Sequence, residues 1–207
     1  MGIRRKILVA STNPGKLAEI RQMLGDDVQW VGLSDFKGIG EIKEDGATFA
    51  ENARKKALGY AKATGLWTIA DDSGLVIDSL GGEPGVKSAR FSGAKDKNRT
   101  LLDHKNMTKV LKLLKGVPTE KRTARFVCCL CLASSERVLV KTEGMLEGFI
   151  AEEGIGENGF GYDPIFFVPH LNKTVAQLTT EEKNAISHRG NALRKLKPLL
   201  AELLKGA

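Results

Sequence analysis

Short apolar runs that are typical of buried strands alternate along this chain with segments that carry helix start and stop signals. Residues 6–10 form the first apolar run, and the polar stretch 11–13 after it can cap a helix that has Pro14 at a tolerated first-turn position. Thr48 and Glu51 have capping-box spacing at the start of an alanine-rich segment. Strand and helix signals mixed in this order predict an α/β protein with a mixed sheet.

The same signals divide the rest of the chain, which has 207 residues, enough for one domain or for one domain with two lobes. Because no internal repeat or Pro/Ser-rich linker marks a boundary, we expect a single domain over residues 1–207. The alanine-rich helix should end before Gly65, and the C-terminal helix should break near 188–190 and kink at Pro198. Further strands are predicted at 28–33, 67–70, 75–77, 124–133, 138–143, 145–150 and 165–168, and further helices at 99–114 and 180–204.

Composition narrows the class of protein. The net charge of +7 favours anionic partners, but the basic residues are dispersed and do not choose between a polyphosphate and a nucleic acid duplex. No apolar run approaches the ~20 residues of a membrane span, and the N-terminal apolar stretch is too short for a signal peptide, so we expect a cytoplasmic protein. Cys128, Cys129 and Cys131 lack metal-site spacing, which favours buried free thiols.

An adjacent pair of acids, Asp71 and Asp72, follows the apolar run 67–70. Adjacent carboxylates repel each other, so folding alone gives little reason to place them at a strand end. A divalent cation would remove the repulsion, because Mg²⁺ prefers hard oxygen ligands and phosphate substrates. The alternative is a strand followed by an acidic turn, since Asp, Ser and Gly are all turn formers. The segment alone leaves both interpretations open.

Two loops come before helix starts and carry charged groups. The stretch Ser11-Thr12-Asn13-Pro14-Gly15-Lys16 runs from a strand into a helix, where backbone N–H groups, the helix dipole and a lysine can bind an anion. It lacks the G-x-x-x-x-G-K spacing of a Walker A loop, and an ordinary helix cap with a surface lysine is an equal alternative. The acidic loop 41–46 contains Glu44 and has a solvated turn as its alternative.

Two later segments combine small residues with groups suited to a base. Glycines on either side of Phe160 allow close backbone approach while the ring is presented for stacking, and a flexible hairpin with core aromatics is the alternative. Lys183 and Ser187 share a helix face, with His188 and Arg189 just beyond, and a basic helix end is the alternative. Together, the four segments supply a phosphate cradle, a metal-binding acid pair, a stacking ring and a cluster of donors, which are the parts of a nucleoside triphosphate site.

The chain also resembles the inosine triphosphate pyrophosphatase family. The resemblance covers essentially the whole chain and rests on five motifs in the family's order. These motifs are Thr12-Asn13-Pro14-Gly15-Lys16, Ala70-Asp71-Asp72-Ser73-Gly74-Leu75, Gly81-Gly82-Glu83-Pro84-Gly85 with Ser88-Ala89-Arg90-Phe91, Gly159-Phe160-Gly161-Tyr162-Asp163-Pro164, and Ser187-His188-Arg189-Gly190.

The resemblance implies a Mg²⁺-dependent homodimeric enzyme that hydrolyses ITP, dITP and XTP to the monophosphate and pyrophosphate. It implies an elongated mixed β-sheet with flanking helices that form two lobes around a central cleft. It makes Asp72 the catalytic acceptor and a metal ligand, and Glu44 the second metal-associated carboxylate. By the same resemblance, the triphosphate and the base are bound by Ser11, Thr12, Asn13, Pro14, Gly15, Lys16, Ser73, Phe160, Gly161, Tyr162, Asp163, Lys183, His188 and Arg189.

The hydrogen-bond donors and acceptors of the purine bases give the implied preference for deaminated purines a physical basis. Hypoxanthine and xanthine present an acceptor at position 6, where adenine presents a donor, and xanthine has an acceptor at position 2, where guanine has a donor. Donors from Lys183, Arg189 or nearby backbone would favour the deaminated bases. Two rival functions are a basic nucleic-acid-binding module, which leaves the acid pair unexplained, and a pyrophosphatase for another nucleotide, such as a modified pyrimidine. We expect neither a membrane partner nor direct nucleic-acid binding.

Overall fold

The computed structural model describes residues 4–12 and 14–206 and contains a seven-stranded sheet flanked by helices. The strands are β1 Lys6–Val9, β2 Gln29–Gly32, β3 Trp67–Ile77, β4 Thr123–Ala133, β5 Val138–Ile150, β6 Phe166–Val168 and β7 Lys173–Thr174. The α-helices are α1 Pro14–Leu24, α2 Phe49–Thr64, α3 Arg99–Leu113, α4 Thr180–Ile186 and α5 His188–Lys205.

The sheet is mixed, as the sequence predicts. Its strand order is β2-β1-β3-β4-β5-β6-β7. Strand β1 pairs in parallel with β2 and β3, whereas β5 with β6 and β6 with β7 pair antiparallel. The predicted α/β class with a mixed sheet is therefore confirmed.

Two breaks that the sequence predicts in the strands are absent from the structure. Strand β3 continues through Asp71 and Asp72, so the two predicted short strands are one, and the interpretation of this segment as an acidic turn is wrong. The strand need not turn toward solvent here, because the Asp71 carboxylate has buried cationic partners, described below. Strand β5 likewise runs unbroken through the buried Gly144, because a single glycine inside a strand costs only about 1 kcal/mol.

The helix ends follow the sequence signals, with two differences in detail. Thr48 caps α2 by accepting a hydrogen bond from the Glu51 backbone, and Gly65 ends the helix with a φ of 70°. The Glu51 carboxylate, however, accepts from the Ala47 N–H, so only half of the predicted capping box forms. The C-terminal break lies at Ser187, one residue before the predicted position, and Pro198 lies inside α5.

The chain divides into two compact units, each with its own apolar core. The first unit comprises Met1–Asp72, Cys128–Gly144 and Arg189–Ala207, and the second comprises Ser73–Val127 and Met145–His188. In the first unit, side chains of β1, β3, β4, α1 and α5 pack into one buried cluster. In the second unit, β4, β5, β6 and α3 contribute to another. The expectation of a single domain over residues 1–207 stays a prediction.

Two further expectations concern cysteines and membranes. Cys128, Cys129 and Cys131 are free and buried, as predicted. Burial is the main cause that raises the pKa of the Cys129 thiol to about 12 and that of Cys131 to about 11, so both thiols stay protonated at neutral pH. Within residues 4–12 and 14–206, no helix has the length and apolar character needed to cross a membrane.

Candidate functional site

Parallel pairing of β1 with the first residues of β3 brings the carboxyl end of β1 beside the segment of β3 that leads into the acid pair. Val9 lies opposite Ile69, and the Ala10 N–H donates to the Ile69 carbonyl at 2.8 Å. The chain leaves β1 here and enters α1, while β3 continues into Asp71. The loop that the sequence identifies as an anion site therefore starts beside the acid pair.

Asp71 is a buried carboxylate held by two cations. The Lys16 ammonium donates to its two oxygens at 2.7 and 3.0 Å, and the Arg189 guanidinium donates to Oδ2 at 3.4 Å. Burial alone would raise the pKa of Asp71, but the charges of Lys16, Arg189 and Lys56 outweigh it and hold the pKa well below the usual range. Asp71 is therefore ionised, and its charge is balanced inside the first unit.

Asp72 has a different environment, as expected for neighbouring strand residues whose side chains point in opposite directions. Its Oδ2 accepts a hydrogen bond from the Asn52 amide at 2.9 Å. Burial raises the pKa of Asp72, and the negative charges of Glu44 and Asp71 add to the rise against the opposing effects of Asn52 and Lys56. A carboxylate with a raised pKa is a stronger base, and it gains from a nearby cation.

Lys56 and Asn52 are site residues that the sequence analysis missed. The Lys56 ammonium lies 3.1 Å from a Glu44 oxygen, and its pKa is raised because Asp71, Glu44 and Asp72 together outweigh the effect of burial. Both side chains are buried on α2, four residues apart. A signal was present in the sequence, since two polar residues fall at core-facing positions of an otherwise alanine-rich helix face.

A divalent metal fits the donors of the first unit. Glu44 and Asp72 supply carboxylate oxygens. Burial is the main cause of the raised pKa of Asp72, the negative charges of Glu44 and Asp71 add to the rise, and a cation would offset these charges. No group of three or more His, Cys, Asp or Glu side chains suited to a metal is present in the part of the chain that the structure describes. Mg²⁺ does not need such a group, because it is usually held by one or two carboxylates, waters and substrate phosphates.

The second unit contains a separate polar cluster around Asp163. Asp163 is buried, and its Oδ2 accepts from the Lys183 ammonium at 2.7 Å and from the Phe160 N–H at 2.8 Å. The Lys183 ammonium also lies 4.6 Å from the centroid of the Phe160 ring, within the range of a cation–π contact. The Phe160 side chain is 51% exposed, so a large apolar ring stands in solvent next to a charged donor.

Backbone contacts fix the loop that carries Phe160. Gly159 has a φ of 80°, and a Cβ there would overlap the Asp163 carboxylate, so the loop requires glycine at this position. The Gly161 N–H donates to the Asp103 carboxylate at 3.0 Å. Tyr162 is buried and its hydroxyl donates to the Ser88 carbonyl at 2.8 Å, which makes it a core residue of this unit. The interpretation of this segment as a flexible hairpin is wrong.

The predicted site residues are thus distributed over both units. His188 stacks on Phe126, with ring centroids 5.0 Å apart, in the second unit. Arg189 belongs to the first unit, where it donates to Glu19 at 2.9 Å and to Asp71, and its predicted role toward the base stays a prediction. Asn13 lies outside the described residues. The first unit also holds Ser11, Thr12, Pro14, Gly15, Lys16, Glu44 and Asp72, and the second also holds Ser73, Phe160, Gly161, Tyr162, Asp163 and Lys183.

Comparison with known proteins gives full-length matches. The Ham1 family model matches residues 7–199. A dITP/XTP pyrophosphatase from Desulforamulus reducens is 48% identical over 200 residues, which cover 96% of each chain, and one from Bacillus subtilis is 49% identical over 203 residues, which cover 97% of this chain and 99% of the relative.

Solved structures give the same result. The Ham1 protein of Staphylococcus aureus superposes with a TM-score of 0.86 at 40% identity, and a HAM1 protein from Coxiella burnetii with 0.87 at 42% identity. In each case the alignment covers 96% of this chain and 99% of the other.

Proposed function

This chain belongs to the Ham1 family, and from that premise we propose that it is a nucleoside triphosphate pyrophosphatase that acts on deaminated purine nucleotides. It hydrolyses ITP, dITP and XTP, releasing the monophosphate and pyrophosphate. The observation that carries this function is the acid pair of β3. One carboxylate is neutralised by Lys16 and Arg189, while its neighbour keeps a raised pKa beside Glu44.

We assign the phosphate chemistry to the first unit. Asp72 and Glu44 would hold Mg²⁺, which, when bound, neutralises the non-bridging oxygens of the triphosphate. Asp72 holds the metal or takes the proton of the attacking water at its carboxylate. Lys16 lies at the start of α1, where its charge and the helix dipole favour an anionic group, and its side chain keeps 22% of its surface exposed despite the contact with Asp71. Ser11–Lys16 complete the proposed phosphate contacts of the first unit, and Ser73, which follows Asp72 in the chain and belongs to the second unit, is a further proposed contact.

We assign base recognition to the second unit. Arg189, which belongs to the first unit, is proposed to contribute through its ion pairs with Glu19 and Asp71. The exposed Phe160 ring offers a stacking surface, and Lys183 beside it supplies a donor for the acceptor at position 6 of hypoxanthine or xanthine. Asp163 orients both groups, because it accepts hydrogen bonds from each of them. Gly161 contacts Asp103 of α3, Tyr162 contacts the Ser88 carbonyl and His188 contacts Phe126 of β4, and these contacts shape the surface.

Three further features belong to the same proposal. The metal is Mg²⁺, which the two-carboxylate donor set of Asp72 and Glu44 supports. The enzyme acts as a homodimer, as the resemblance implies. We further propose that it acts in the cytoplasm, with no membrane or nucleic-acid partner. Residues 1–207 form one two-lobed pyrophosphatase domain.

A substrate panel tests the function directly. We expect Mg²⁺-dependent release of pyrophosphate from ITP, dITP and XTP, with much slower release from ATP, GTP and pyrimidine triphosphates. The measurement is pyrophosphate release with and without Mg²⁺ under otherwise equal conditions. A nucleic-acid-binding module would release none, and a pyrophosphatase for another nucleotide would prefer a different base. Either result would contradict the proposal.

Base selection has its own test in Lys183→Ala. A buried donor that faces another donor costs about 1–3 kcal/mol, so loss of the Lys183 donor should lower the preference for ITP over ATP, whose base has a donor at position 6, by roughly tenfold. The measurement is the ratio of kcat/KM values for the two nucleotides. Lys173→Ala is a matched control, because Lys173 makes an exposed ion pair with Glu182 in the same unit. An unchanged ratio in Lys183→Ala would show that this donor does not select the base.

Arg189→Ala also removes a donor that the sequence assigns to the base, but the partners of Arg189 indicate that its main effect is on stability. Its guanidinium is buried and contacts Glu19 and Asp71, so removal should lower stability along with activity. We therefore expect its effect on base preference to be smaller than that of Lys183→Ala.

A further inference from the structure

Asn52 links one of the two carboxylates that we assign to the metal, Asp72, to the loop that carries the other, Glu44. Its side chain is buried, with 1% of the residue exposed. The amide Nδ2 donates to Asp72 Oδ2 at 2.9 Å, and the carbonyl Oδ1 accepts from the Gly46 N–H at 2.7 Å. Because a backbone N–H can only donate, the Gly46 contact requires Oδ1 on that side and so turns Nδ2 toward Asp72. One amide therefore ties β3 to the loop that contains Glu44.

The loop itself fits closely against the start of α2. A Cβ on Gly46 would lie 2.7 Å from Asn52 Oδ1 and 2.8 Å from the Glu51 Cβ, so the backbone approaches the helix to a distance that only glycine permits. The next N–H, that of Ala47, donates to the Glu51 carboxylate at 2.7 Å. Two consecutive helix residues thus hold two consecutive loop amides. Of these two contacts, only that of Asn52 continues to a carboxylate of β3.

We propose that Asn52 is a positioning residue that sets the Asp72 carboxylate relative to the Glu44 loop and thereby determines the affinity for the divalent ion. This inference rests on the proposed function, since it takes Asp72 and Glu44 as the metal's ligands. Asn52 does not touch the ion or the nucleotide in this role. It acts by holding one oxygen donor in a fixed orientation toward the segment that supplies the other.

Charge makes this orientation matter. As carboxylates, Asp72 and Glu44 carry like charges, and like charges repel each other. The hydrogen bond from the Asn52 amide holds Asp72 in place against this repulsion, and hydrogen bonds to charged groups are stronger than those between neutral groups. Residues that orient metal ligands in this way change metal affinity by roughly 10–100-fold when they are removed.

The direct test is binding of Mn²⁺, used as a paramagnetic probe for Mg²⁺, to Asn52→Ala in the absence of nucleotide. Electron paramagnetic resonance of the free ion gives the dissociation constant without any turnover. We expect Mn²⁺ binding to weaken by roughly 10–100-fold. We also expect a raised Mg²⁺ concentration to restore much of the lost pyrophosphatase activity, which a general loss of folded protein would not allow.

A glycine pair tests the same link without altering Asn52. Gly46→Ala places a methyl group against Asn52 Oδ1 and should weaken Mn²⁺ binding in the same direction. Gly40→Ala is the matched control, because a Cβ at Gly40 meets nothing within 4 Å. Glu51→Ala is a second control that removes the contact with Ala47 but leaves Asn52 and Asp72 in place. Neither control should change the Mn²⁺ dissociation constant by more than about twofold. Urea unfolding identifies any variant that fails to fold.

Three results would overturn the inference. They are a wild-type protein that does not bind Mn²⁺, an Asn52→Ala variant that folds and binds Mn²⁺ normally, or a Glu51→Ala variant as weak as Asn52→Ala. The proposed function fails separately, in the substrate panel, if the wild type releases no pyrophosphate from ITP, dITP or XTP. An enzyme that passes the panel while Asn52→Ala binds Mn²⁺ normally would retain its function and lose this residue assignment.

Discussion

Asp72→Asn is expected to abolish turnover of ITP while nucleotide binding stays measurable. Asparagine preserves the size of the side chain and still offers an oxygen to the Asn52 amide. It removes the negative charge that holds the metal and the basic oxygen that takes a proton from water. Loss of a positioned general base typically costs 10²–10⁴-fold in rate, or about 3–5 kcal/mol in the barrier, and loss of a metal ligand adds to this.

The measurement pairs pyrophosphate release with calorimetric titration of ITP into the variant. Asp45→Asn is a suitable control, because Asp45 lies in the same acidic loop region but pairs with Lys43 and Lys55 at the surface. We expect the control to keep nearly full activity. Turnover by Asp72→Asn within tenfold of the wild type would remove Asp72 from the mechanism.

Asp71→Ala is expected to destabilise the protein by about 3–5 kcal/mol. Removal of one partner from a buried ion cluster leaves the other charges uncompensated, which is far more costly than loss of the pair's net attraction. Here Lys16 would lose its carboxylate and Arg189 would keep only Glu19. The expected loss is a large fraction of the 5–15 kcal/mol that typically stabilises a folded protein.

The measurement is the free energy of unfolding in urea. Asp78→Ala provides the comparison, since Asp78 forms an exposed pair with Arg125 and such pairs contribute about 0–1 kcal/mol. An Asp71→Ala variant no less stable than Asp78→Ala would show that the Lys16–Asp71–Arg189 cluster does not stabilise the fold. Substitution of Asp71 should therefore lower stability, whereas substitution of the adjacent Asp72 should abolish catalysis.

Much of the architecture is readable from local sequence signals. The strand at β1, the cap of α2 at Thr48 and its end at Gly65 all occur where side-chain spacing and glycine place them. These features depend on neighbouring residues alone, so a single sequence is enough to predict them. The five motifs likewise identify the family, because their residues and their order can be read from the sequence without knowing which residues are in contact.

The predicted break in β3 at Asp71 and Asp72 is wrong for a physical reason. Asp, Ser and Gly favour turns when only local preferences act, and nothing near Asp71 in sequence neutralises its charge. The partners that allow β3 to continue are Lys16 and Arg189, which lie 55 and 118 residues away in the chain. Contacts between residues distant in the chain thus allow a strand where local preferences favour a turn.

The sequence by itself determined the strand and helix order, the family, and the residue types that carry the chemistry. Only the tertiary structure decided that Arg189 pairs with Asp71 and Glu19, and that Lys56 and Asn52 belong beside Asp72. The reason is that helix caps and strand periodicity act over a few residues. Burial and charge compensation, in contrast, depend on groups that become neighbours only after the chain has folded.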